Sequence, residues 1–318
     1  STQSRSSAAS DVYKRQSLCE TRPSVVERLR REYDVQEAFS DFDAIDLSAY
    51  DVVVVCTPAH LHVPMAKRAV EAGCHVLCEK PLSTGMDGVP ELIEAVERRG
   101  VRFGVAYVQR AMPPLAELKR RIDAGQIGQV KQVFAAWGQH FPTYRPAYRE
   151  IYYVDRTTGG GAIQDAVTHL LNFIQWCLGP VASVYCQADH LVLEGVNVED
   201  TVSMILRFRD NDAIGTIVLN QFQTNNSGLY EFAGTEGTLR FEMPGWRVGV
   251  CRNEQWTWPE PRTFERDEFF VHQAEAFLRT VDEGVSPLCT LTEAADTLRA
   301  ILAALRSAEE HRRVEVGR

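Results

Sequence analysis

The sequence predicts an α/β chain: a parallel sheet wound with helices first, then an α+β domain built on a large, open, mainly antiparallel sheet. Three observations carry this. Asp51-Val52-Val53-Val54-Val55-Cys56 is a continuous apolar run, too uniform for a half-exposed antiparallel strand and suited to a parallel strand buried on both faces. His75-Val76-Leu77-Cys78 repeats that pattern, and between the two runs Val63, Ala66, Ala69 and Val70 fall at helical spacing, with Gly73 as the stop. Beyond residue 180 the pattern changes to short strands separated by Gly or Asn-Asp turns, which suits a separate sheet.

Taken in order, residues 1–16 form a non-native head. Ser6 to Gln16 reads as an adapter-like segment and is set aside from the fold. The first domain is expected over 17–110. Ser17 to Glu20 is the tail of a strand, and Ser24-x-x-Glu27 after Pro23 offers a capping box for a helix through Tyr33. In dinucleotide-binding sheets an acid about 20 residues beyond a glycine fingerprint holds the adenosine ribose, a position that Glu20 fits. By position alone Glu20 is as well explained as an exposed acid in a frayed terminus. No glycine precedes Gly73, so a first strand with its pyrophosphate-binding glycine loop is expected to be lacking. After His62 to Ala72 and the strand at His75, a helix over Val89 to Arg99 and a strand over Val101 to Val105 complete the pattern. Thr57-Pro58 and Glu79-Lys80-Pro81 then open on one sheet edge, where parallel α/β sheets build their sites.

The second domain, 111–318, starts with a helix from Leu115 to Ala124 and a strand from Val130 to Trp137. An aromatic loop follows, from which Tyr144, Arg145 and Arg149 are candidate substrate residues; tyrosine and arginine bind sugar rings or acids, and are also ordinary loop surface. Gly159-Gly160-Gly161 leads into a helix on which Asp165 and His169 lie one turn apart. Gln164, Asp165, Thr168, His169, Asn172 and Gln175 form its polar face, which could simply meet water. Strands are expected over Val181–Cys186, Asp200–Phe208, Ala213–Gln221, Gly228–Phe232 and Gly237–Phe241, and helices over Phe269–Asp282 and Leu291–Glu310, the last packing back on the first domain.

Composition narrows the class. Of 318 residues 45% are hydrophobic and 24% charged, with no apolar run of bilayer-spanning length, and a net charge of −9 argues against a nucleic-acid partner. Eight scattered cysteines without a Cys-x-x-Cys pair point to reduced thiols and a cytoplasmic protein. A metal site at Cys74, His75 and Cys78 is not expected, because strand alternation turns both cysteines into packing and a structural zinc needs four ligands.

Thr57-Pro58 with His62, then Glu79-Lys80-Pro81, then Gly159-Gly160-Gly161 with Asp165-x-x-x-His169 resemble, in order and spacing, the motifs of the Gfo/Idh/MocA oxidoreductases, and Arg110 stands at that family's arginine. The resemblance implies a Rossmann-like first domain, a nicotinamide cofactor, and hydride transfer to or from a secondary alcohol of a sugar or polyol, in a homo-oligomer. It implies His169 as base, Asp165 orienting it and Lys80 donating to the substrate oxygen, with Thr57, Pro58, His62 and Glu79 on the nicotinamide side. NAD is favoured over NADP because Glu20 would accept from a ribose diol and repel a 2′-phosphate, Arg22 being the competing residue. Two alternatives remain: an NAD-dependent glycosidase of the same family, and a non-catalytic binding protein. Without the glycine loop the chain as given is expected to bind cofactor poorly and to be inactive.

Overall fold

A computed structural model describes residues 16–317. All but the last residue of the adapter-like head therefore lies outside the described residues. The chain forms two compact units, Ser1–Tyr50 and Asp51–Arg318. The division falls at residue 50, within the expected first domain, because the strands on either side belong to separate sheets with no shared ladder among the described residues.

In the first unit β1 (Ser17–Cys19) and β2 (Glu37–Phe39) pair in parallel, Leu18 opposite Ala38, with α1 (Pro23–Tyr33) between them. The expected capping box does not form. Pro23, whose fixed φ suits a first helical position, starts the helix one residue ahead of Ser24, so Arg22 becomes the cap and offers no side-chain hydrogen bond.

The second unit opens with β3 (Val52–Val55), α2 (His62–Glu71), β4 (His75–Cys78), α3 (Val89–Arg99) and β5 (Phe103–Val105), a parallel sheet in the order β3-β4-β5. Val54 lies opposite Leu77, which lies opposite Gly104. β4 and β5 are covered as their composition demands, but β3 is an edge strand and Val54 is 57% exposed, so two-faced burial does not hold there.

Next come α4 (Pro113–Asp123), β6 (Val130–Gly138) and α5 (Thr168–Leu178), then β7 (Val181–Asp189), β8 (Thr201–Phe208), β9 (Ile214–Asn220), β10 (Ser227–Gly234), β11 (Thr238–Met243), β12 (Arg247–Arg252) and β13 (Gln255–Thr257). α6 (Arg266–Glu283), α7 (Leu291–Glu310) and β14 (Val314–Glu315) end the fold. One nine-stranded sheet has the order β13-β12-β11-β10-β6-β9-β8-β7-β14, in which β6 and β9 are the parallel pair. On β8 the period of two is plain: Val202, Met204 and Leu206 are buried, while Ser203, Ile205 and Arg207 are exposed. The buried face packs on Leu171, Phe173 and Ile174 of α5 and on Ile301 and Ala304 of α7. At about 25 cal/mol per Å² of apolar area, that helix-on-sheet layer is the main stabilising term of the unit.

Four strands had no sequence signal. β2, β13 and β14 are too short, and β12 carries Gly249, where a Cβ would lie 2.6 Å from the Trp258 ring. Pairing opposite Arg240 of β11 makes that glycine part of a strand, and the close approach of Trp258 leaves no room for a side chain. The segment leading into α7 returns to the parallel sheet, with the Val105 N–H donating to Cys289 O at 3.0 Å, and Thr290 and Glu293 cap the helix reciprocally. Among the described residues no helix is long and apolar enough to cross a membrane.

Candidate active site

The ends of β3 and β4 are tied together by one imidazole. His62 lies at the start of α2 with its Nδ1 2.8 Å from Pro81 O and its Nε2 2.7 Å from Thr57 O. Burial lowers its pKa, opposed by the two carbonyls. At 1% exposure, bonded to both turns, His62 shapes the segments that carry Thr57 and Lys80. Glu79 accepts from the Lys80 N–H at 3.2 Å, and burial raises its pKa against the opposing Lys80 charge.

The triple glycine is explained by what surrounds it. A Cβ on Gly160 would lie 2.3 Å from Tyr153 O, and one on Gly161, at φ +89°, would lie 2.5 Å from Glu199 Oε1. The buried Glu199 accepts from the Ile163 N–H at 3.0 Å and from Arg156 at 2.9 Å, which anchors the start of the next helix. That helix begins with a π turn, Ile163–Val167, and continues as α5. Wide turns of this kind recur at functional sites, and this one carries Asp165.

The polar face of this helix does not meet water. Gln164, Asp165, Thr168, Asn172 and Gln175 are all buried. Tyr107 and Thr168 share a hydroxyl contact of 2.9 Å, Arg110 donates to Asn172 at 2.8 Å, and Asn172 and Gln175 both donate to Thr297 of α7. Arg110 is thus a buried tie between segments, also donating to Leu288 O at 2.8 Å and to Glu293 at 2.6 Å.

Lys80 and Asp165 meet directly. Lys80 Nζ donates to the Asp165 backbone O at 2.8 Å and to its Oδ1 at 3.1 Å, and Tyr152 OH donates to the same Oδ1 at 2.7 Å. Burial pushes the Asp165 carboxyl up, but Lys80, Tyr152 and Arg145 together hold it below its ordinary value. The expectation that Asp165 orients His169 is corrected: its bonding partners are Lys80 and Tyr152, and the buried His169 Nδ1 has no hydrogen-bond partner. His169 is instead positioned by the Tyr107 ring, edge-on at 5.9 Å. Burial and the Lys80 charge, with Arg145 adding to them and Asp165 opposing, push the imidazole pKa down to about 3. It is neutral at physiological pH.

Lys80, Arg145, Asp165 and His169 line one cavity of ≈ 140 Å³. Of the other expected residues, Tyr144 is 51% exposed, and Arg149 stacks on the Tyr148 ring and bonds its hydroxyl, so neither enters the cavity. Thr57, Pro58 and Glu79 remain at the strand ends. In the first unit Glu20 is closed on Arg22, with contacts of 3.0 and 2.9 Å, and that pairing lowers its carboxyl to about 2. Sequence reasoning missed Gln109, Trp137, Phe141 and Gln221 as cavity lining and Tyr152 as the partner of Asp165. Only Gln221 left a trace, as a polar residue closing an otherwise alternating strand.

Parallel strand ends carrying Lys80, facing a polar cavity set against a large antiparallel sheet, put a ligand site where open α/β sheets build theirs. Residues 3–107 match the model described as "Oxidoreductase family, NAD-binding Rossmann fold", and residues 115–240 match the GFO/IDH/MocA C-terminal domain. The chain belongs to the Gfo/Idh/MocA oxidoreductase family, and its N-terminal part is an NAD-binding Rossmann domain. It is 26% identical over 252 residues to levoglucosan dehydrogenase of Pseudarthrobacter phenanthrenivorans, covering 71% of this chain and 64% of that protein's length. It is 25% identical to D-xylose 1-dehydrogenase (NADP(+)) 2 of Haloferax volcanii over 90% of this chain and 86% of that one, and 24% identical to inositol 2-dehydrogenase of Rhizobium meliloti over 86% and 83%. The fold matches levoglucosan dehydrogenase in complex with NADH and levoglucosan with a TM-score of 0.85, at 23% identity over 95% of this chain and 90% of that one.

Proposed function

We propose that the protein transfers a hydride between NAD and a secondary alcohol of a sugar or polyol. The observation that carries this is the convergence of Lys80, Asp165 and His169 on one cavity. The strand ends fit the cofactor: Thr57, Pro58 and Glu79 would hold its nicotinamide end, on turns that His62 keeps in place. Bound NAD supplies the acceptor for the hydride that leaves the carbinol carbon.

The protein's own work concerns the proton and the charge. As the carbon–oxygen double bond forms, the hydroxyl proton passes to neutral His169, and Lys80 stabilises the negative oxygen. The same Lys80 charge that helps keep a proton off His169 in the empty cavity favours the alkoxide. Proton transfer then creates an attracting pair, imidazolium beside alkoxide, which raises the basicity of His169 at that moment. Asp165 keeps Lys80 aimed through its 3.1 Å contact, and Tyr152 keeps Asp165 charged.

The test is NADH formation from a panel of polyols and sugars at saturating NAD. Lys80→Ala and His169→Ala should each lower turnover by at least about a hundredfold while the circular dichroism of the protein stays unchanged. Near-normal turnover in either variant would remove that residue's role.

A further inference from the structure

We infer that the substrate held in this cavity carries a carboxylate: it is a sugar acid and not a neutral sugar or polyol. The inference narrows the dehydrogenase reading above and rests on it for the reaction, while the recognition stands on the cavity's own hydrogen-bond inventory. Sugar hydroxyls are donors as well as acceptors, so a site for a neutral polyol needs free acceptor oxygens. Here, Gln139 apart, the side-chain amide and carboxylate oxygens of the lining residues already accept a hydrogen bond. Tyr230 OH donates to Gln109 Oε1 at 2.6 Å, Tyr153 OH donates to Gln221 Oε1, and the Gln223 N–H donates to Asn220 Oδ1 at 2.9 Å. Asp165, the one side-chain carboxylate among the lining residues, already receives Lys80 and Tyr152.

What these bonds leave toward the cavity are donors. Gln221 is buried, yet its Nε2 has no partner, and the Gln109 carbonyl is occupied by Tyr230. Arg145 lines the same cavity and makes no ion pair among the described residues. With His169 neutral, Lys80 and Arg145 against Asp165 give the cavity one net positive charge. A carboxylate is acceptor-only and matches the planar guanidinium fork, so it can meet Arg145 bidentately and the orphaned Gln221 nitrogen with no proton of its own left to place, whereas a neutral hydroxyl brings a proton and no charge. An unpaired buried donor is costly, so the gain is specific to ligands that reach it. The reacting hydroxyl lies toward Lys80 and His169, and the carboxylate toward Arg145 and Gln221.

The experiment is calorimetric titration of the 318-residue protein, with saturating NADH, using matched pairs that differ only in the acid: D-gluconate against D-glucitol, and D-galactonate against galactitol. The acid should bind at least about tenfold more tightly, with an advantage that shrinks as salt rises. Arg145→Met should erase the advantage without weakening the neutral partner, and Arg145→Lys should restore part of it. Equal or better binding of the polyol, no detectable acid binding at millimolar ligand, or an advantage that survives Arg145→Met would each overturn the inference. NADH formation, read in parallel at an NAD concentration that titration of the same protein shows to be saturating, separates the two claims. Tight acid binding with no turnover of either series sinks the dehydrogenase reading and leaves the recognition standing; turnover of polyols with no preference for acids does the reverse.

Discussion

His169 is the residue on which the chemistry and the stability of the site meet. Its pKa is lowered to about 3, against about 6.5 in an unfolded chain, so between those values the unfolded state binds more protons than the folded one. Stability must therefore fall as pH drops below about 6.5, by at most about 1.4 kcal/mol per pH unit from this group. His169→Asn should flatten that slope in urea unfolding measured from pH 7.5 to 5, these being assay conditions around the roughly 6.5 reference value. An unchanged slope would place the loss elsewhere. Tyr152 acts one contact further out. Tyr152→Phe removes its 2.7 Å bond to Asp165 and should lower kcat/KM by about tenfold, with the pH profile shifted because Asp165 titrates higher. Glu20 is the third such position: its carboxylate, closed on Arg22, is expected to favour NAD, and a measured preference for NADP would show that Arg22 controls the choice.

At the scale of elements, the glycine run and the helix it feeds behave as one device. Gly161 combines a positive φ with a carboxylate 2.5 Å from where a Cβ would sit, and that carboxylate holds the helix start through Ile163. Gly161→Ala is therefore expected to cost about 2 kcal/mol or more in urea unfolding, and to lower turnover through the shifted Asp165 turn. Gly100→Ala is the control. Gly100 also has a positive φ, but nothing lies within 4 Å of an added Cβ, so its cost should be near 1 kcal/mol, with turnover unchanged.

At the scale of the whole chain, the nine-stranded sheet has one face filled by helices and another that carries apolar residues outward. Tyr185 and Ile205 are cross-strand partners, and Ile214 opposes Arg207 on the same face; the three are 41%, 52% and 41% exposed. We propose that this face self-associates; Ile205→Lys should then lower the mass read by light scattering behind size exclusion, and a monomeric parent protein would overturn the proposal.

The order of elements and the three motifs were legible in the residues themselves, because backbone periodicity and glycine requirements are local. α3 ends where apolar spacing and Gly100 put it, α7 spans the expected Leu291–Glu310, and Lys80, Asp165 and His169 were recognisable from spacing and resemblance. What local pattern could not decide was which polar atoms become partners. A buried hydrogen bond is chosen by groups far apart in the chain: Asp165 turned to Lys80 and Tyr152 and away from His169, His62 turned inward onto two carbonyls, and three tyrosines took acceptor oxygens around the cavity. The sequence determined that a dinucleotide-type sheet would present a lysine to a cavity backed by a second sheet. Tertiary structure alone decided that the cavity would be positive and rich in donors, because only packing determines which polar groups are satisfied before a ligand arrives.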